Sequence, residues 1–294
     1  MKFRMHCTTA LGVILLSACA QFVVAAPVSA QSTIAAVVPV DWMLVWWDEF
    51  SGANGSAVDQ KKWSYDLGNG WGNGVELEYY TGRRSNSSLQ NGALQISALR
   101  ENYLGSQFTS ARIQSHRKFS LKYGRFEARI KISNGKGIWP AFWLIGENID
   151  TVGWPECGEI DIMEHVNFDG SIVSTIHMPT VAGSDTSIGA GFQLPGGVDY
   201  SADYHLFAVE WEEGVVRFYV DGTLFQTVTR ADLLPTQRWV FDHPYFVVLN
   251  VAVGGTWPGN PDSSTVFPAT MLVDYVRVSA RLGNKMYLPM TRSR

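Results

Sequence analysis

The stretch Gly153–Asn167, reading GWPECGEIDIMEHVN, decides how the rest of this 294-residue chain is read. Three acids, Glu159, Asp161 and Glu164, sit among Ile160, Ile162 and Met163. β-Branched residues favour a strand, where side chains two positions apart share a face. Glu159 and Asp161 therefore point the same way. In a regular strand Glu164 would face the opposite side. One extra residue, taken up as a β-bulge near Ile162–Met163, returns it to the common face. Three carboxyls on one face of an otherwise apolar strand cost desolvation and mutual repulsion. A solvated sheet face would tolerate them, and so would a catalytic cleft. Trp139, Trp143 and Trp154, all shortly upstream, favour the cleft. Indoles stack on the apolar faces of sugar rings, while one carboxylic acid protonates a leaving oxygen and another attacks or activates water.

Away from the acids the pattern is short strands and turns. Arg125–Ile132 alternates polar and apolar residues, as a half-buried antiparallel strand does, and Ala93–Ala98 follows an Asn91-Gly92 turn signal. Asp221-Gly222 is a second hairpin signal, and Gly183–Gly197 reads as a Gly/Ser-rich loop. Such strands separated by Gly, Pro, Asn and Asp point to an all-β sandwich or barrel. Charged residues make up only 17% of the chain and aromatics 13%, with 11 Trp, which suits an aromatic-lined binding surface. A net charge of −4 without a basic cluster argues against a nucleic-acid partner.

GEIDIMEHVN resembles the active-site signature of glycoside hydrolase family 16, in the form carried by its endo-β-1,3-glucanases (laminarinases). Lichenase-type members are similar but lack the residue at Met163. Other blocks agree: Trp47–Phe50 resembles the opening WxDEF segment, Ile138–Leu144 resembles GxWPAFW, Ser174–His177 resembles GTIH, and Leu249–Gly259 resembles LNLAVGGNWPG. Gly70–Thr81 is similar to WGNxELQYYT, with Glu78 in place of the usual Gln and an additional residue near Val75. The likeness runs from about Trp46 to Ser279.

The resemblance implies a β-sandwich of jelly-roll type (concanavalin A-like) with a concave substrate cleft. It implies endo-acting cleavage of β-1,3-glucan by double displacement with retention, which requires about 5–5.5 Å between the two carboxyls. Glu159 would be the nucleophile, Glu164 the acid/base, and Asp161 the residue that tunes the nucleophile. Asn73, Arg112, Trp139, Trp143, His177, Asn250 and Trp257 would contact the sugar, Trp139 and Trp143 as a stacking pair. No catalytic cofactor is implied. A structural calcium ion would use Glu49, the Gly92 carbonyl and Asp274, since calcium prefers oxygen ligands. Activity on mixed-linkage β-1,3-1,4-glucan, transglycosylation and non-catalytic glucan binding are the alternatives; a monomer is expected.

The N-terminus reads as a targeting segment. Lys2 and Arg4 precede an apolar run from Ala10, and Val28-Ser29-Ala30 fits a cleavage site, so residues 1–30 form a signal peptide and 31–40 a linker. Leu16-Ser17-Ala18-Cys19 also resembles a lipobox, in which the leader ends at residue 18 and Cys19 is lipidated. The protein is then secreted, or anchored at the surface or outer membrane by lipid alone. Residues 41–281 form the catalytic domain and 282–294 a tail. With Cys7 and Cys19 in the leader, Cys157 is left without a disulfide partner and reads as a packed, inert thiol.

Overall fold

The alternation of Arg125–Ile132 is resolved in space: Phe126, Ala128 and Ile130 lie in the core at 0% exposure, while Arg125, Glu127 and Arg129 project from the other side. The computed structural model describes residues 42–282, apart from the side chains of Asn73 and Gly74. The leader, the linker, Cys19 and the tail beyond Leu282 lie outside the described residues.

In chain order the strands are β1 Trp42–Asp48, β2 Ser64–Asp66, β3 Glu78–Tyr80, β4 Ser87–Gln90, β5 Ala93–Tyr103, β6 Ser106–Ser110, β7 Arg112–Gln114, β8 Gly124–Lys131 and β9 Ile138–Gly146. They continue as β10 Glu159–Glu164, β11 Ser171–Pro179, β12 Asp185–Gln193, β13 His205–Glu212, β14 Val215–Val220, β15 Thr223–Thr229, β16 Tyr245–Val253 and β17 Ala269–Arg281. Two helical turns, α1 Trp71–Gly74 and α2 Ile149–Val152, lie between them. One sheet runs β15-β14-β13-β8-β17-β5-β6-β3, with β1 added to β17 and β4 to β5. The other runs β12-β11-β10-β9-β16-β7-β2. The two sheets form a jelly-roll sandwich.

Both hairpin signals are realised. Asn91 and Gly92, and Asp221 and Gly222, all have positive φ between directly paired strand ends, as two-residue turns with the strands' own twist require. The loop expected over Gly183–Gly197 is instead largely strand: β12 pairs residue for residue with β11 from Asp185 to Gln193. Its small residues have a packing cause, because a Cβ at Gly189 would lie 2.7 Å from Thr175 Oγ1.

β16 is the axis of the second sheet, buried at all nine positions. Val247, Leu249, Val251 and Val253 face the main core together with Phe142, Leu144, Ile160 and Ile162. Phe246 and Val248 face the other way, into a separate cluster with Ala141, Trp143, Ile145 and Cys157. That outer face is where the acids are.

Candidate active site

On the β9 side of β10, Asp161 pairs with Trp143 and Met163 with Phe142, so Ile162 and Met163 together oppose one residue. The register against β11 shifts at the same place, between Asp161 and Glu164. This is the bulge that the acid spacing demands. It sorts the strand: Ile160, Ile162 and Met163 lie in the core, while Glu159, Asp161 and Glu164 line one cavity of about 120 Å³. Gly158 brings the chain to Glu159 at φ +67°, where a Cβ would lie 2.1 Å from the Tyr245 hydroxyl oxygen. Only glycine fits there.

Each acid has a distinct partner. Trp154 Nε1 donates to Glu159 Oε2 at 2.7 Å, and Trp139 Nε1 donates to Glu164 Oε1 at 3.0 Å. His177 Nε2 lies 3.5 Å from Asp161 Oδ2, without hydrogen-bond geometry. The other ring nitrogen of His177 faces Asp185 Oδ1 at 3.2 Å.

Burial dominates the electrostatics. Desolvation holds Asp161 well above the ordinary carboxyl range, reinforced by the charges of Glu159 and Glu164 and by a hydrogen bond shared with Glu159. Glu164 is pushed up to about 8, by burial first and then by Glu159, while the Trp139 N–H pulls in the other direction. Near neutral pH Glu164 therefore keeps its proton, and burial favours the neutral form of Asp161. The Cys157 thiol is also pushed up, to about 12, by burial and then by Glu159. It is buried and chemically quiet, as expected.

The aromatic residues divide. Trp257 is 46% exposed and meets Trp139 edge to face at 5.4 Å, so these two border the cleft. Trp143 lines the same cavity but is only 8% exposed, packed in the outer-face cluster. The expected Trp139–Trp143 stacking pair is thus a rim residue and a floor residue. Trp143 Nε1 donates to Asn250 Oδ1 at 2.8 Å, and Asn250 Nδ2 donates to the Tyr80 hydroxyl at 3.1 Å. Arg112 is held between the rings of Trp71 and Trp143, 4.4 and 4.7 Å from their centroids, with Nε 2.9 Å from Asp66 Oδ2. Asn73 lies on α1, and its side chain is outside the described set. Of the remaining residues, Glu76 lines the cavity and was not anticipated, nor were Trp71 and Tyr80, although all three stand in the Gly70–Thr81 block.

The calcium expectation meets an obstacle. Glu49 accepts from Arg277 Nε and Nη2 at 2.8 and 2.9 Å, and Asp274 accepts from Arg129 Nη1 at 2.8 Å. Among the described residues no three His, Cys, Asp or Glu side chains gather as metal ligands. As arranged, the two carboxylates expected to bind calcium each serve an arginine.

A two-sheet sandwich with three carboxyls in a tryptophan-bordered cleft is the architecture of a polysaccharide hydrolase. The family model for glycosyl hydrolases family 16 matches residues 75–277, and the chain belongs to that family. It is 40% identical to a beta-glucanase of Rhodothermus marinus over 81% of this chain and 85% of that protein. It is 36% identical to the glucan endo-1,3-beta-glucosidase A1 of Niallia circulans, over 85% of this chain and 40% of the relative. Among solved structures it superposes on the laminarinase catalytic domain of Thermotoga maritima with a TM-score of 0.74 and 44% identity, covering 82% of this chain and 99% of that one.

Proposed function

We propose that this chain is an endo-acting hydrolase of β-1,3-glucan that works by double displacement with retention. The observation that carries the reading is that the bulge in β10 brings Glu159 and Glu164 to one cavity, where burial and Glu159 raise Glu164. Glu164 gives its proton to the glycosidic oxygen as that bond breaks. Glu159 attacks the anomeric carbon and forms a glycosyl ester. Glu164, now ionised, takes a proton from water, which attacks the same carbon and frees Glu159. Asp161, kept neutral by burial and by its two acidic neighbours, donates to Glu159 and fixes its position. Trp139 and Trp257 hold sugar rings at the rim, and Arg112, His177, Asn73 and Asn250 contact hydroxyls.

The names of the relatives support β-1,3-glucan as substrate, and the uninterrupted acid set supports catalysis over mere glucan binding. Product analysis on laminarin, mixed-linkage glucan and agarose tests the reading. Release of short oligosaccharides from laminarin, with retained anomeric configuration at early times by NMR, is expected. Inverted product or inertness on laminarin refutes it.

The catalytic unit is proposed as residues 41–281, acting as a secreted monomer after cleavage behind Ala30. Intact mass of the mature protein tests this, because a lipidated Cys19 start gives a different mass and membrane fractionation.

A further inference from the structure

Glu78 is a carboxylate that the proposed chemistry does not use. It is wholly buried, its Oε2 accepts the backbone N–H of Val253 at 2.7 Å, and its Oε1 has no hydrogen-bond donor. Another acid also lies against it. Glu76, two positions back, shares a hydrogen bond with Glu78 and lines the catalytic cavity. Glu76 also folds beneath α1: a Cβ on Gly72, whose φ is +56°, would lie 2.6 Å from Glu76 Oε1. Two carboxyl groups in hydrogen-bond contact, one of them dry, hold together only if a proton lies between them.

We infer that Glu78 is a positioning residue: as a neutral acid it donates its proton to the Glu76 carboxylate and so holds Glu76 and α1 against the glucan cleft. This rests on the proposed glucanase reading for the identity of the ligand, but the proton itself does not. The surroundings favour the neutral acid. Desolvation is the largest influence on Glu78, the charge of Glu76 adds to it, and the Val253 N–H opposes both. The other titratable groups on this side are Tyr80 on β3, itself raised by burial, and Arg112 on β7, which is already committed to Asp66 on β2. From β16 come Asn250, bonded to Tyr80, and the Val253 amide.

Glutamine has the shape of the neutral acid and the same donor, without a proton to lose. Glu78→Gln therefore separates positioning from titration. For stability, a carboxyl whose folded pKa is raised binds more protons in the folded than in the unfolded state between its two pKa values. The wild type thus loses stability as pH rises above the unfolded value, and E78Q does not. The Tm advantage of E78Q should grow with pH from about 4.5 upward. In kinetics on laminarin, KM of the wild type should match that of E78Q while folded Glu78 keeps its proton. It should rise by on the order of tenfold relative to E78Q above the pH where the Tm difference levels off, which marks loss of that proton. In both, kcat should change alike, since Glu164 is common to them.

Parallel Tm–pH curves would overturn the shared proton. Tm curves that diverge and level off, with KM–pH profiles that superimpose beyond that point as well, would leave Glu78 a structural pin to Val253 and overturn its role in positioning. If wild type does not hydrolyse laminarin, the glucanase reading falls, and the Tm comparison still decides the proton.

Discussion

Trp139 donates its indole N–H to Glu164 Oε1 at 3.0 Å from a ring that also forms an edge-to-face pair with Trp257. One side chain therefore borders the sugar site and tunes its acid. The hydrogen bond favours the ionised carboxyl, against burial and the charge of Glu159, which raise Glu164 to about 8. The acid form is the active one, so kcat/KM should fall as pH rises through about 8. Trp139→Phe removes the donor and should move that alkaline limb upward by about one pH unit or less. A limb that moves down, or does not move, would separate Trp139 from the acid.

Glu159→Gln and Glu164→Gln should each leave a folded protein, by circular dichroism, with activity on laminarin reduced on the order of 10³-fold. E164Q should also lose the alkaline limb for substrates with a poor leaving group. Turnover near wild type in either variant would falsify the role assigned to that residue.

Rim and floor tryptophans should respond differently. Trp257→Ala removes a half-exposed ring and should weaken laminari-oligosaccharide binding by about 1–3 kcal/mol in calorimetry, with Tm little changed. Trp143→Ala opens a cavity in the cluster around Phe246 and Val248 and unpairs Asn250, so it should cost about 3–5 kcal/mol of stability. Equal Tm values for the two variants would contradict this division.

Because Glu49 and Asp274 are occupied by Arg277 and Arg129, thermal melts should not respond to calcium or to chelator. A bound ion at about a hundredfold excess over its dissociation constant would add about 2.7 kcal/mol. A chelator-sensitive Tm, with calcium found by elemental analysis, would mean that the arginines give way to the ion.

Much of this molecule is legible in one dimension because the signals are local. A period of two sorts Phe126, Ala128 and Ile130 from Arg125 and Glu127, and turn dipeptides place the hairpins at Asn91-Gly92 and Asp221-Gly222. The acid spacing required a bulge at Ile162–Met163, since no regular strand puts Glu159 and Glu164 on one face. Family resemblance then supplied the roles that periodicity does not carry.

What only the tertiary structure decided depends on partners far apart in the chain. Trp139 and Trp143 share a face, but only the packing of β16 makes one a rim and the other a floor, through an indole–Asn250 bond spanning 107 residues. Asn250 in turn holds Tyr80 across 170 residues. Glu49 looks like a free ligand until Arg277, 228 positions away, is folded against it. Glu78 looks like an exposed acid in a glycine-rich block until β16 covers it. Sequence period assigns a side chain to a face. Whether that face is dry, and which group shares it, is set by long-range pairing, and burial with charge then decides which carboxyls keep their protons.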